Sequence, residues 1–293
     1  MDATVRRELS LRAAAHAEHV RIKCNVQRTA ALDPFQVAET RGCEIRFMSL
    51  PSLEGVYSPN PKSVIVLGSQ RTFGRRSFTC AHELGHHEFK HGARIEELNA
   101  SRFQASKDPD EFLADMFGAF LLMSQASVRR ALKEREIQPG SLQPSQVFLL
   151  ACFFGVGYGT LIEHLTWTLK LLKPEQRGIL LKTQPKGLKA QYGCSPQSEV
   201  IVVDHFWKNR AVDLEIGDTL VLKKNVLVEE NSRLKFDGII DEGQRVFRAT
   251  ARGYARASLD EWAVNIRISS KQYQGLARYR FFADPEEDSN VNS

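Results

Sequence analysis

The spacing of apolar positions changes character once along this chain. Up to Leu172 apolar residues recur mostly every three or four positions, the period of a helix with one buried face. Beyond Lys173-Pro174-Glu175 they alternate with polar ones, the period of a strand.

The first part reads as helices with short strands between them. Residues up to about Arg41 are helix-rich, and Asp33-Pro34 marks a helix start, with Asp33 as cap and Pro34 at the first helical position, where its missing N–H costs nothing. Gly42 closes that helix. Glu44–Met48 predicts a strand, the stretch from Pro51 to Pro61 reads as turn, and the apolar run 63–67 predicts a second strand. A helix over about 76–90 follows. Asp108-Pro109 opens another, with Phe112, Met116, Ala119, Phe120 and Met123 on one face. Two more, 146–154 and 158–172, are separated by Gly155-Val156-Gly157.

In the second part Val264, Ile266 and Ile268 alternate with Asn265 and Arg267. Ala277, Tyr279 and Phe281 alternate in the same way with Arg278 and Arg280. Asp241-Glu242-Gly243 predicts a hairpin turn between runs 234–240 and 245–250. The expectation is a mainly antiparallel β domain over 176–283 and a polar, acidic, disordered tail over 284–293.

Composition narrows this little. Of 293 residues, 42% are hydrophobic and 26% charged, which is ordinary for a globular chain. A formal net charge of +5 is mild for this length and calls for neither a nucleic-acid nor a membrane partner. The five cysteines are scattered without a C-x-x-C pair, which argues against a disulfide framework and a cysteine zinc cluster. No apolar run approaches the roughly 18 residues of a membrane span, nor does the N-terminus carry a signal-like core. The expected compartment is the cytoplasm.

The pair at 146–172 has the outline of a helix-turn-helix. Its second helix presents Glu163, His164, Thr166 and Trp167 with only Lys170 as a cation, and carries a core stripe of Leu161, Ile162, Leu165, Leu169 and Leu172. Packing is therefore expected of it, not phosphate contact. Arg245, Arg248, Arg267, Arg278 and Arg280 are expected on a solvated sheet face, and direct nucleic-acid binding is not expected.

The chemistry concentrates at His82-Glu83-Leu84-Gly85-His86. Four helical residues turn through roughly 400° and rise about 6 Å, so two histidines at this spacing share a face and can hold one zinc ion. Glu83 lies beside such an ion, placed to take a proton from the attacking water and pass it to the leaving amine. Gly85 would let substrate or backbone come close. A catalytic zinc needs a third protein ligand and an open position. The three-histidine pattern fails, because Phe89 and Gly92 stand where it requires Gly and His. His87 and His91 are expected on other faces, as surface or supporting groups. Glu111 and Asp115, spaced i, i+4, offer a carboxylate ligand and a partner for a ligating histidine. Glu111 could equally complete a capping box with Asp108. Glu96, Glu97, Asp108 and Asp110 are weaker contenders.

These segments resemble the ImmA/IrrE family of metallopeptidases, a gluzincin-like group. The resemblance rests on Ser77-Phe78-Thr79-Cys80-Ala81-His82-Glu83-Leu84-Gly85-His86-His87, on Glu111-Phe112-Leu113-Ala114-Asp115-Met116-Phe117 and on Leu121-Leu122-Met123. It implies zinc held by His82, His86 and Glu111, with Glu83 as general base. Its implied substrate is a helix-turn-helix transcriptional repressor; a binding module that keeps the peptidase fold is the alternative. Ser124 stands where the family usually has Pro and Gly118 where it has Ala, both expected clear of the ligands. The resemblance covers about residues 10–172; with the β domain read from the alternation, which matches no family partner, the expected architecture is α+β: a zincin-like metallopeptidase domain over 1–126 with a small sheet, a helix-turn-helix-like subdomain over 127–175, then the β domain.

Overall fold

A computed structural model describes residues 1–97, 108–193, 198–208, 210–229 and 233–282; the tail expected at 284–293 lies outside them. The chain is a mixed α and β structure that divides into two compact units, Met1–Pro185 and Lys186–Ser293.

The first unit opens with α1 (Ala3–Lys23), capped by the Asp2 carboxylate, which accepts from the amides of Thr4 and Val5. Its buried positions are the small residues Ala13 and Ala17, then Val20 and Arg21. The Arg21 guanidinium donates to Leu121 O at 2.6 Å and also to Gln27 O and Ala30 O, so one buried side chain satisfies three backbone carbonyls. In α2 (Pro34–Thr40) Asp33 accepts from Phe35 and Gln36, as expected of that cap, and Gly42 follows with φ +91°.

Strands β1 (Glu44–Met48), β2 (Leu53–Ser58), β3 (Val64–Gly68) and β4 (Arg94–Glu97) lie in the order β1-β3-β2-β4. β1 and β3 are parallel; β2 runs antiparallel to both β3 and β4. β2 occupies a stretch expected to be turn. Its buried positions are Glu54, Gly55 and Tyr57, and the first two are residue types that disfavour strands. Its register against β4 shifts between Leu53 and Gly55, a bulge at Glu54.

Helix α3 (Phe73–Phe89) starts a turn earlier than expected and is buried continuously from Arg76 to His86. In α4 (Pro109–Leu122) the buried set is Leu113, Ala114, Met116, Phe117, Gly118, Ala119, Leu121 and Leu122, broader than the expected face, while Phe112 and Phe120 are half-buried. A helix apolar on most sides belongs inside a core. Next comes α5 (Gln125–Glu134), capped by the Ser124 hydroxyl, which accepts from Ser127 N at 3.1 Å. Gly155, at φ +65°, ends α6 (Pro144–Phe154), and α7 (Tyr158–Glu163) runs on through a π turn over His164–Thr168. Leu161, Ile162, Leu165, Leu169 and Leu172 are all buried, as a packing role requires. Helix α8 (Pro174–Lys182) closes the unit. Among the described residues no single helix is long and apolar enough to cross a membrane. The pair Pro144–Phe154 and Tyr158–Thr168 would pass on composition alone but is bent by 100°.

In the second unit β5 (Val200–Val203), β6 (Val212–Glu215), β7 (Thr219–Leu222), β8 (Leu227–Val228), β9 (Leu234–Ile239), β10 (Arg245–Ala249), β11 (Gly253–Leu259) and β12 (Trp262–Ser269) form two mixed sheets. Their orders are β5-β7-β10-β9 and β6-β12-β11-β8. Pairing is antiparallel except for β5 with β7 and β6 with β12. Asp241–Gly243 turns β9 into β10 as expected. Ala277–Tyr279 is a 3-10 turn and not a strand: burial falls on Ala277, Arg280 and Phe281, which breaks the apparent alternation. Nor do all five arginines share a solvated face. Arg267 grips Asp213 through two bonds of 2.5 and 2.7 Å, and buried Arg280 meets the same carboxylate at 3.5 Å.

Candidate metal centre

One helical turn places the His82 and His86 rings together, with their Nε2 atoms 3.0 Å apart. The Glu111 carboxylate arrives from α4, Oε2 3.4 Å from His82 Nε2 and Oε1 3.5 Å from His86 Nε2. It therefore faces the histidines, while Asp108 caps α4, accepting from Asp110 N at 2.9 Å. These three donors form a group that could hold a metal ion. Ligands about 2.0–2.1 Å from a tetrahedral zinc stand about 3.3 Å from one another, and the observed separations bracket that spacing. Two imidazoles and a carboxylate also make a donor set suited to zinc.

The other ring nitrogens are tied outside the group. His82 Nδ1 meets Asp115 Oδ1 at 2.9 Å, and His86 Nδ1 meets His91 Nδ1 at 2.9 Å. Such partners fix ring orientation and tautomer. His91 reaches His86 because α3 stops at Lys90, whose φ of +60° turns the chain back, and His91 N donates to His86 O. Helical periodicity cannot foresee which ring His91 meets, since His91 lies past the helix. Asp110, 3.4 Å from His91 Nε2 and 2.7 Å from Arg94 Nη2, extends the chain of contacts. His87 instead points to Tyr57, Nδ1 to hydroxyl 3.0 Å. The side chains of Glu96 and Glu97 lie outside those described.

Electrostatics favour the protonation states that a metal needs. The rings of His82 and His86 hold the Glu111 carboxyl far below its usual range, and burial pushes His86 down toward the neutral imidazole.

Two glycines bring the helices this close. A Cβ on Gly85 would lie 3.0 Å from Ala114 Cα, so the space it leaves admits the backbone of α4. A Cβ on Gly118 would lie 3.1 Å from His82 N, so this position, expected clear of the ligands, packs on the backbone of one of them. Glu83, fully buried, is covered by β2: a Cβ on Gly55 would stand 3.0 Å from its Oε1 and 2.5 Å from Thr79 Cγ2. Glu54, the bulged residue, is buried with Arg75 Nε at 2.9 Å. Arg71 donates to the carbonyls of Leu50, Pro51 and Leu53, fixing the approach to that strand.

No curated protein matches this chain significantly. Among solved structures it is similar to a Mycobacterium tuberculosis transcriptional regulator at 22% identity and a TM-score of 0.38, over 60% of this chain and 53% of that one. The match thus spans about half of the regulator's length. Residues 38–166 match a peptidase family described as the IrrE N-terminal-like domain, and that span contains β1 to β4, α3, α4 and each residue of the centre just described. Residues 38–166, under half of the chain, are thus similar to the IrrE N-terminal-like domain, in line with the ImmA/IrrE resemblance of the motif segments.

Proposed function

We propose that the chain is a zinc-dependent endopeptidase that cuts a cognate regulatory protein, a helix-turn-helix transcriptional repressor, with Glu83 as general base. The observation that carries this reading is the trio of donors from His82, His86 and Glu111 at tetrahedral spacing, with Glu83 on the same helix. Zinc, when bound, polarises a scissile carbonyl and lowers the pKa of water toward about 7. His82, His86 and Glu111 would hold it, and Asp115 and His91 would keep both rings oriented. Buried Glu83 would accept a proton from the attacking water and hand it to the departing amine. In this reading residues 1–126 carry the chemistry, 127–175 support it, and the β-rich part at 176–283 selects the partner. The choice of a repressor rests on the family resemblance, and such a substrate puts the enzyme in the cytoplasm.

The test is to incubate the zinc-loaded protein with the product of a neighbouring helix-turn-helix gene and to follow cleavage by mass spectrometry. Wild type should cut it, and Glu83→Ala should bind zinc yet cut at least about 100-fold more slowly. Zinc-loaded wild type that leaves every such repressor intact sinks the substrate assignment. Full biological function in Glu83→Ala would point to a binding module instead.

A further inference from the structure

Between α1 and the C-terminal end of α3 lies an open cavity of about 450 Å³, lined by Arg12, His16, His19, Glu88, Phe89 and Lys90. Its size falls within the usual range for small-molecule sites. Glu88, the one acid among these six, is already committed: Arg41 Nε stands 2.6 Å from Oε1, and His16 Nε2 2.9 Å from Oε2. Arg12, His19 and Lys90, by contrast, have no carboxylate partner among the described residues. Arg41, Arg75, Arg94 and Arg177 of the same unit each have one. The floor is aromatic. The Phe89 ring lies 5.1 Å below the Arg12 guanidinium and 4.9 Å from the His16 ring. The left-handed backbone of Lys90 sets that residue at the rim.

We propose that this cavity binds a small organic phosphate of mononucleotide size, its planar ring stacked on His16 and Arg12 over Phe89 and its phosphate met by Arg12 and Lys90. Two unneutralised cations flanked by two imidazoles exceed what a single carboxylate needs, and suit a phosphate monoester carrying between one and two charges. A planar base would extend this stack, packing on the Arg12 guanidinium and the His16 ring that already lie against Phe89. Phe89 stacks in turn on His91, centroids 5.7 Å apart at 19°, and His91 meets His86. An occupant would thus sit two rings from the candidate metal centre, although its binding does not depend on the peptidase reading.

The experiment is calorimetric titration of the full chain with AMP, CMP, their nucleosides and inorganic phosphate. Wild type should bind at least one nucleotide at least about tenfold more tightly than its nucleoside and than inorganic phosphate. The double variant Arg12→Gln/Lys90→Gln should weaken that binding by about tenfold or more. Both positions are exposed, so the variant should fold, which circular dichroism checks; single Arg12→Glu is the fallback and should weaken binding likewise. Failure of both nucleotides to bind overturns the proposal. So does equal affinity for inorganic phosphate, or binding unchanged in the variants.

Discussion

Gly55 is the residue at which the candidate site has least room. The Cβ of an alanine there would overlap Thr79 Cγ2 at 2.5 Å and press Glu83 Oε1 at 3.0 Å, so the strand, or Thr79 together with the glutamate, must move. Overpacking of this kind costs about 1–3 kcal/mol. Gly55→Ala should therefore slow peptide cleavage at least about tenfold, because a small misplacement of a proton-transfer group is costly. Zinc stoichiometry should stay unchanged, since the donor trio stands on α3 and α4. Cleavage rates beside zinc content measure this, and an unimpaired rate would mean that Glu83 is not held from that side. At this scale the sequence was informative where helical spacing maps one residue onto another, as for His82, Glu83 and His86. It left Glu111 open between a ligand and a cap because both roles use the same residue at the same place. His91, read as a surface or supporting group, does support a ring of the centre, but that its partner is His86 was not legible, because its position depends on the backbone turn at Lys90 and on no periodicity.

The element that organises the centre is the α3–α4 contact. Gly85 on one helix and Gly118 on the other let the two backbones approach, and this brings Glu111 and Asp115 to the histidines. Gly85→Ala would gain up to about 1 kcal/mol of helix propensity. Its Cβ would stand 3.0 Å from Ala114 Cα and 3.2 Å from the Phe117 ring, contacts that only a shift of α4 can relieve. The expected result is net destabilisation of about 1–2 kcal/mol and zinc affinity weakened about tenfold or more. Thermal melts and chelator competition read the two effects separately, and unchanged zinc affinity would show that this crossing does not set the ligand spacing. Strong caps and long apolar periods made α2, α4 and the β9–β10 turn readable from sequence. What escaped reading was β2, whose inward side chains are Glu54 and Gly55, and the 3-10 turn at Ala277–Tyr279, where burial at Arg280 defeats the alternation.

At the scale of the whole molecule, among the described residues a buried histidine in the first unit and a half-buried aspartate in the second titrate so that their effects on stability oppose each other. His164 in the first unit is fully buried, with Nε2 2.8 Å from Met123 O, and burial pushes its pKa down from 6.5 to about 4. Between those values the unfolded chain holds a proton that the folded unit has released. Its stabilising contribution is complete above pH 6.5 and is lost as pH falls toward 4. Asp218 in the second unit accepts from Glu199 N and Glu215 N, yet burial raises its pKa from 3.8 to about 6. Here the folded unit keeps the proton, so the contribution is complete below pH 3.8 and is lost as pH rises toward 6. Each shift corresponds to about 3 kcal/mol. Calorimetric melts between pH 4 and 6.5 should show the transition of Met1–Pro185 strengthening and that of Lys186–Ser293 weakening. His164→Gln should flatten the first trend and leave the second, and Asp218→Asn should do the reverse. If either variant keeps the wild-type slope of its own unit, that group is not what its unit's stability follows.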